Sequence, residues 1–488
     1  MAKTKKAVKL DANGHRKFGI RDCVAYAAGD FGCNMSFSLK GTVQTFWLVY
    51  MTMETGLLSA LLLLVQIWDA VNDPLIGSMI DADRRQYKLG KFKTYILVGA
   101  IGLMFAGAAV FIPAPNASTF VKAILFILGY MLWDAFYTIA NVPYGSMLSL
   151  VTSDAAERSQ LSTWRSVGSM LGNMIPMMIL PMLIWHKEVD ANGNPVINPE
   201  TGVQVETLLG NRVFFAALIM GVLGVIAFLF MIKTITIRVD ENSVKTNETQ
   251  KFNIVEAFGN FFKNRPAMGA TLAAMAMFLG MNSAATAVTI MFATYFGQAS
   301  MSGIVSLIGF LPMFIFMPFV KKLVTKFGKK EAAAAGAFVS VIGGLLMLVF
   351  PMMENKGTAL IVYLVALIIF GLGMGIYTCV SWAFMADAID YNEWKTGKRE
   401  EGTVYSLHSF FRKLAQGVGP SVVLLLMGAL GYVSELGTEG QSLATATNMC
   451  WLVAVLYLFS AVMMFVSIKF VYNLDKKTLA QMNAELGR

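Results

Sequence analysis

The sequence predicts an all-α membrane protein with twelve transmembrane helices in two six-helix pseudo-repeat bundles. Of its 488 residues, 56% are hydrophobic and only 14% are charged, whereas about 25% are charged in an ordinary soluble domain. Long apolar runs recur along the chain, and Lys and Arg are concentrated on one side of them. This composition excludes a soluble globular protein, a disordered chain and a disulfide scaffold.

The apolar runs are about 20 residues or longer, which is the length of a helix that crosses the hydrocarbon core. The first run is the least apolar, because it contains Asp22, Asp30 and Lys40. The predicted spans are 22–51, 55–80, 94–113, 120–148, 161–185, 212–235, 266–296, 303–324, 332–352, 358–386, 404–432 and 446–472.

The basic residues predict the orientation of these helices. An even number of spans puts both termini on one side, where 31 of the 39 Lys and Arg residues fall, against 4 on the other side. Cytoplasmic loops are enriched in Lys and Arg. We therefore expect a multi-pass protein of the cell (inner) membrane with both termini in the cytoplasm.

The longest predicted cytoplasmic connector divides the chain into halves that resemble each other weakly, which is typical of transporters with a site between two bundles. It carries an amphipathic stretch that favours the membrane surface. The polar segment 186–211 predicts an exposed external loop. The predicted organisation is tail 1–21, bundle 22–235, connector 236–265, bundle 266–472 and tail 473–488.

The densest group of polar residues within a span is Asp69, Asn72 and Asp73 in the second helix. Their spacing of i, i+3 and i+4 places them on one helix face. Two carboxylates and an amide oxygen suit a small cation or a shared proton, because two adjacent ionised carboxylates repel each other. The alternative is a structural helix end whose acids cap the helix or pair with Arg84 and Arg85.

The residues around this group carry a family resemblance. WDAVNDPLIG, followed by DADRRQYKLGKFK, resembles the glycoside–pentoside–hexuronide:cation symporter family, and the melibiose permease branch in particular. Similar motifs follow at 130–143 (YMLWDAFYTIANVP) and 385–413 (MADAIDYNEWKTGKREEGTVYSLHSFFRK). The resemblance implies a major facilitator fold and cation-coupled uptake of sugars or glycosides.

The resemblance assigns the cation site to Asp69, Asn72 and Asp73 on helix two and to Thr138 on helix four. All four positions have the family's residue types. The alternative for Thr138 is a hydrogen bond between helices.

The family's sugar site maps less completely. Two acids that hold sugar hydroxyls in melibiose permease correspond to Asn34 and Asn141, and its stacking Trp and a basic residue correspond to Gly145 and Cys33. Asn can donate to and accept from hydroxyls, but it cannot make the stronger charge-assisted bond. These departures argue against assuming an α-galactoside substrate.

Four further residues complete the predicted substrate site. Asp30 supplies a carboxylate one turn before Asn34, or else it is the buried partner of Lys40 or Lys413. Tyr137 lies against the sugar ring, or else it is ordinary packing. By resemblance, Arg165 matches a sugar-site arginine and Lys413 an intramembrane lysine, which pairs with the helix-two acids or extends to the cytoplasm.

Acids and bases also alternate in the predicted cytoplasmic loops of both halves. The resemblance implies an ion-pair gate that holds an outward-open state, whereas the alternative is solvated loops with weak pairs. The predicted gate residues are Asp81, Arg84, Arg85, Glu157, Arg158, Asp387, Asp390 and Arg399.

The sequence thus predicts a secondary transporter that imports a sugar, glycoside or hexuronide with Na⁺ or H⁺. The alternatives are a carrier of another amphipathic solute such as a lysolipid, an uncoupled sugar uniporter, and a membrane sensor or receptor. We expect no enzyme activity, no cofactor, no metal beyond Na⁺ and no nucleic-acid partner. The expected partners are the sugar, a monovalent cation and membrane lipid, and the expected state is a monomer.

Overall fold

The structure is a computed structural model that describes residues 16–239, 254–397 and 401–487. Its regular elements are almost all helices. Those of the first half are α1 (Ile20–Phe37), α2 (Lys40–Thr45), α3 (Thr55–Ala82), α4 (Lys91–Ala109), α5 (Thr119–Val151), α6 (Ala155–Ile184) and α7 (Gly210–Thr234), with a π-helical turn at Phe46–Tyr50.

The second half begins with a short helix and continues with long ones. Its helices are α8 (Ile254–Lys263), α9 (Arg265–Met277), α10 (Ala285–Met291), α11 (Ser302–Phe327), α12 (Lys329–Met347), α13 (Lys356–Thr396), α14 (Glu401–Ala429), α15 (Leu443–Val466) and α16 (Lys476–Glu485). Three π-helical turns, Phe278–Asn282, Phe292–Phe296 and Ser467–Val471, extend α9, α10 and α15.

Polar side chains define where several long helices begin. Ser118, Asn355 and Ser442 each accept a hydrogen bond from the backbone N–H three residues later, at the starts of α5, α13 and α15. Such a cap satisfies one of the donors that a first helical turn leaves unpaired. The loops that precede α5, α13 and α15 therefore end at these capping residues.

Within the described ranges, ten helical stretches are long and apolar enough to cross a membrane. The first predicted run, 22–51, is helical but broken at Ser38–Leu39, between α1 and α2. The predicted run 303–324 lies within α11, but the side chains at 313–318 of this helix lie outside the described part of the structure, so α11 is not among the ten. The described residues thus contain ten candidate membrane spans, and the number twelve stays a prediction.

The chain forms two compact units. The first contains the described residues up to Phe46, then Ile67–Ile184, and those from Leu209 to 239. The second contains Trp47–Gln66, Trp185–Leu208 and the described residues from 254 onward.

Close helix packing within each unit depends on glycine. A Cβ at Gly168 of α6 would collide with the carbonyl oxygen of Ala27 of α1. A Cβ at Gly373 of α13 would collide with the carbonyl oxygen of Gly336 of α12. Small residues at such contacts let membrane helices approach closely.

The predicted external loop is a β-hairpin, in which most residues up to Glu200 are exposed as predicted while part of the second strand is buried. Strands β1 (Trp185–Lys187) and β2 (Glu206–Leu208) pair antiparallel, with Trp185 opposite Leu208. The Glu206 side chain is buried, and its carboxylate accepts hydrogen bonds from Ser300 N (3.1 Å) and Ser300 Oγ (2.9 Å). Thr438 Oγ1 donates to the Glu206 carbonyl at 2.9 Å. Polarity alone predicted exposure, but these hydrogen bonds stabilise the buried carboxylate.

The predicted amphipathic connector forms α8, which packs against α14 within the second unit. The Phe261 ring is 1% exposed and stacks on Phe411, with ring centroids 5.8 Å apart. Phe258 meets the same ring edge-on at 6.1 Å. The apolar face of α8 is thus covered at least in part by protein.

Candidate functional site

The acidic face of α3 meets α5 inside the first unit. Asn72 Nδ2 donates to Thr138 Oγ1 at 3.2 Å and to Asp134 Oδ2 at 3.1 Å. Thr138 Oγ1 in turn donates to Asp73 Oδ1 at 2.7 Å. Asn72 and Thr138 are each 2% exposed. The structure therefore brings three of the four predicted cation-site residues into one buried hydrogen-bond network.

Asp69 is linked to this network through Asp134, a residue that the sequence analysis missed. The carboxyl groups of Asp69 and Asp134 are close enough to interact electrostatically. Two carboxylates at that distance repel each other unless they share a proton or a cation. Asp134 lies one helical turn before Thr138, so its i, i+4 spacing and its charge within an apolar span were the signals available.

A basic side chain balances part of this negative charge. The ammonium group of Lys40 interacts electrostatically with Asp69, Asp73 and Asp134. It also lies 4.7 Å from the centre of the Phe37 ring. Three carboxylates and one ammonium leave two negative charges uncompensated when all are ionised.

The donor atoms of this cluster, called here the carboxylate site (Asp69, Asn72, Asp73, Asp134 and Thr138), suit a small hard cation. Carboxylate, amide and hydroxyl oxygens are the ligands that such ions prefer. The alternative of a helix end paired with Arg84 and Arg85 is not favoured, because Asn72 and Asp73 are hydrogen-bonded to α5 and both arginines are exposed.

A second polar cluster is built around Asp30 of α1. Arg165 Nε of α6 lies 3.1 Å from Asp30 Oδ1, and Asn34 Nδ2 donates to Asp30 Oδ2 at 3.1 Å. Ser169, one turn after Arg165, is also hydrogen-bonded to this carboxylate. The ion-pair partner of Asp30 is therefore Arg165, whereas Lys40 interacts with the carboxylate site.

The two predicted asparagines differ in how firmly they are held. Asn34 Oδ1 accepts from Asn173 Nδ2 at 2.7 Å, so protein groups bind both ends of its buried amide. Asn141 is partly exposed, and its Oδ1 lies 3.8 Å from the thiol of Cys33, which donates to it. Asn141 is thus the better placed of the two to contact a solute. Asn173 was not predicted, because its only signal in the sequence is an amide within a span.

Aromatic rings line the same cluster. The guanidinium carbon of Arg165 lies 5.1 Å from the centre of the Tyr144 ring, within cation–π range. Tyr144 stacks on Tyr26 at 4.7 Å and donates to the Tyr26 carbonyl at 2.8 Å. Tyr137 is partly buried and lies 5.8 Å from Phe37. Tyr144, also missed, helps to position Arg165, and Tyr137 remains open to either predicted role.

Lys413 lies on α14 in the second unit, where it is exposed. Its predicted interaction with the acids of α3 stays a prediction. His408, also on α14, is buried, and its Nδ1 lies 2.9 Å from Thr271 Oγ1.

The predicted gate residues of the first unit make local contacts. Glu157 Oε2 accepts from Thr152 Oγ1 at 2.5 Å, and Arg158 Nε donates to the Thr152 carbonyl at 2.9 Å. Arg84 and Arg85 are exposed in the turn after α3. Asp81 belongs to α3, but its side chain lies outside the described part of the structure.

Asp83 lies in the same turn, and several hydrogen bonds fix its carboxylate. It accepts from the hydroxyls of Tyr87 (2.5 Å) and Tyr95 (2.6 Å) and from the backbone N–H of Arg85. These hydrogen bonds, that from Tyr87 first, lower the pKa of Asp83 to about 2. It therefore stays ionised at any physiological pH.

In the second unit, Asp387 forms an ion pair with Lys329, whose Nζ lies 2.6 Å from Oδ1. Tyr472 donates to Oδ2 of the same carboxylate at 3.2 Å. Asp390 lies one turn further along α13 and is partly buried. Arg399 falls outside the described residues. The gate as a whole stays a prediction.

A buried charge cluster near residue 20 was not predicted. Asp22 is ion-paired with Arg16 (2.6 Å) and Arg238 (2.9 Å), and its side chain is 1% exposed. Arg238 also donates to the carbonyl of Val151. The cluster joins the start of α1 to the segments that follow α5 and α7.

Comparison with known proteins identifies relatives over almost the whole chain. A family model described as MFS/sugar transport protein matches residues 25–476. The uncharacterised symporter YjmB of Bacillus subtilis (strain 168) is 30% identical over 478 residues, which are 96% of each chain. The glucuronide carrier protein homolog of Escherichia coli (strain K12) is 27% identical over 427 residues, which are 86% of each.

The fold has solved counterparts at low sequence identity. The crystal structure of the D-xylose-proton symporter superposes with a TM-score of 0.60 at 14% identity, over 94% of this chain and 98% of that one. A likeness at this identity supports the fold alone.

Proposed function

The chain belongs to the MFS/sugar transport protein family, and on that premise we propose that it is a cation-coupled symporter of a sugar, glycoside or hexuronide. Its relatives and structural neighbours are transporters and not enzymes. This chain is likewise a transporter and not an enzyme. The proposed steps are binding of Na⁺ or H⁺, binding of the solute, and passage of both by alternating access.

The hydrogen-bond network of the carboxylate site is the observation that carries the proposal. A charged cluster inside a spanning helix is costly and is retained for ion pathways and binding. Asp69, Asp73 and Asp134 supply the negative charge, and Asn72 and Thr138 position them. A bound Na⁺ or proton relieves the repulsion among the carboxylates.

The proposed solute site is the neighbouring cluster on α1, α5 and α6. Asp30 and Arg165 form a charged pair, Asn34 and Asn141 offer amides, and Tyr137 offers a ring. Sugar hydroxyls can donate to carboxylate and amide oxygens and accept from guanidinium and amide N–H groups. The names of the relatives, among them a glucuronide carrier homolog, support a carbohydrate-derived solute.

Several finer points belong to the same proposal. They are twelve spans in two bundles, a cell-membrane location with cytoplasmic termini, a monomeric state, pairing of Lys413 with the α3 acids, and the loop gate. Asp387 and Lys329 support a gate contribution from the second unit, because their ion pair is partly buried.

The test is uptake into proteoliposomes of purified protein, with a panel of radiolabelled sugars, glycosides and hexuronides. Each solute is measured with an inward Na⁺ gradient, with an inward H⁺ gradient and with neither. We expect one solute class to accumulate above its external concentration under one gradient.

The alternatives give different results in the same assay. Equilibration without accumulation under every gradient identifies a uniporter. Flux of a lysophospholipid with no sugar flux identifies a lipid carrier, and binding without flux identifies a sensor. Each of these outcomes contradicts cation-coupled sugar symport.

A further inference from the structure

A cleft of about 380 Å³ lies in the second unit, apart from the two clusters described above. It opens between the start of α3 and the end of α14, on the face that the charge distribution predicts to be external. Its lining includes Glu54, Leu425, Tyr432, Val433, Ser434 and Glu435. The proposed transport mechanism uses none of these residues.

Two hydroxyl groups in the lining have no hydrogen-bond partner among the residues that the structure describes. Tyr432 Oη and Ser434 Oγ are buried, and neither has a hydrogen-bond partner within the described part of the chain. Tyr432 is 4% exposed and Ser434 is 2% exposed. A buried polar group without a partner costs roughly 1–3 kcal/mol, so two in one cleft indicate that the site pairs with something outside the protein.

The rim of the cleft is acidic and one wall is apolar. Glu54 and Glu435 are both exposed at the rim. Leu425 is 49% exposed on a membrane-spanning stretch of α14, and Val433 is 42% exposed beyond the end of that helix. Both side chains leave apolar surface open at the cleft, where an acyl chain can pack against it.

These features match one class of ligand. Carboxylates accept hydrogen bonds from an ammonium group, which has three N–H donors, while hydroxyls can donate to phosphate oxygens. The apolar wall suits an acyl chain. We propose that this cleft binds a membrane phospholipid whose headgroup carries both a phosphate and a primary ammonium, as in phosphatidylethanolamine.

The proposal assigns each group a role. Glu54 and Glu435 bind the ammonium, Tyr432 and Ser434 donate to the phosphate, and Leu425 and Val433 contact the first part of an acyl chain. Phosphatidylcholine has the same phosphate and charge, but its trimethylammonium has no N–H to donate. The site therefore discriminates by hydrogen bonding and not by net charge.

The experiment measures lipid binding to the purified, delipidated full-length protein by native mass spectrometry. The probes are phosphatidylethanolamine, phosphatidylcholine and phosphatidylglycerol with identical acyl chains, together with soluble glycerophosphoethanolamine. We expect phosphatidylethanolamine to bind about tenfold more tightly than phosphatidylcholine, which corresponds to about 1.4 kcal/mol. Transport is not measured, so the result is independent of the proposed function.

Two variants and a matched control locate the site. The double substitution Glu54→Gln with Glu435→Gln should abolish the tenfold preference, and Tyr432→Phe should weaken binding of both zwitterionic lipids. Glu439→Gln is the control, because Glu439 is an exposed acid of the same loop outside the cleft lining. Thermal unfolding of each variant checks that it is folded.

Three outcomes overturn the proposal. Equal affinity for phosphatidylethanolamine and phosphatidylcholine would show that Glu54 and Glu435 do not accept hydrogen bonds from the ammonium group. An equal loss of preference in Glu439→Gln shows a general surface-charge effect. If glycerophosphoethanolamine binds as tightly as the lipid, the apolar wall does not contribute to binding. The ligand of the cleft would then be a soluble headgroup compound and not a membrane lipid.

Discussion

The hydroxyl of Thr138 donates to Asp73 at 2.7 Å while it accepts from the amide of Asn72 at 3.2 Å. Both its hydrogen-bonding functions are therefore engaged with α3. Asn141 lies three residues further along α5, in the proposed solute cluster, so one helix face connects the two clusters. A cation that draws α3 and α5 together would thereby position Asn141.

Thr138→Val should reduce the coupling between cation and solute. Valine keeps the shape of threonine but removes the hydroxyl that links Asp73 to Asn72. In the wild type we expect the coupling ion to tighten solute binding by about 5- to 150-fold. In the variant, the factor by which the ion tightens solute binding should decrease. The solute affinity measured without the ion should decrease less.

The measurement is calorimetric titration of solute with and without Na⁺, at two pH values. Thr138→Ser is the matched control, because it retains the hydroxyl and should retain most of the coupling. If neither ion changes the wild-type affinity for a transported solute, coupling through this residue is wrong.

Asp73→Asn should abolish concentrative uptake. The neutral amide cannot balance the charge of a bound cation, although it preserves the side-chain shape and can still accept from Thr138. Solute exchange between equal internal and external concentrations should persist. Uptake and exchange in proteoliposomes measure the two activities separately.

Asp190→Asn is the control for this prediction. Asp190 is an exposed acid whose carboxylate accepts hydrogen bonds from the backbone N–H groups of Asn192 and Asn194, between strands β1 and β2. It should transport normally. Undiminished accumulation by Asp73→Asn would remove Asp73 from the cation site.

Arg165→Lys should weaken solute binding about tenfold, or by about 1.4 kcal/mol. The planar guanidinium contacts Asp30 through Nε and lies over the Tyr144 ring, and an ammonium cannot reproduce this geometry. The dissociation constant measured by calorimetry is the readout. Arg212→Lys, at the exposed start of α7, should bind as the wild type does, and an unchanged constant in Arg165→Lys would place the solute elsewhere.

The sequence predicted those features that local spacing reports. Asp69, Asn72 and Asp73 are separated by three and one positions, so their common face follows from helix geometry. Asp134 was missed because its spacing to Thr138 and its charge were weak local signals, and its hydrogen-bond partner Asn72 is 62 residues away. The buried position of Glu206 depends on its long-range hydrogen bonds to Ser300, which polarity does not encode.

The Asp22 cluster shows the same limit more clearly. Its partners, Arg16 and Arg238, are 6 and 216 residues away. The sequence places Asp22 at the start of a predicted span, but no local pattern predicts a structural or functional role for it. Only the folded unit brings the three charges together.

Asp22→Asn should destabilise the protein without changing solute affinity. The side chain of Asp22 is 1% exposed, and its substitution leaves Arg16 and Arg238 without the negative charge that they share. Removing one member of a buried ion pair typically costs about 3–5 kcal/mol, because the remaining charge is uncompensated. We expect a lower midpoint of thermal unfolding in detergent and a lower yield of folded protein.

The control is Asp190→Asn, which removes an exposed acid and should unfold at the wild-type temperature. Calorimetry on the folded fraction of Asp22→Asn should give the wild-type dissociation constant, because neither proposed binding cluster includes Asp22. A variant that unfolds at the wild-type temperature would mean that the arginines are stabilised by their contacts to backbone carbonyls, such as that of Val151, and that Asp22 adds little. A variant of normal stability but altered solute affinity would instead assign Asp22 to the transport cycle.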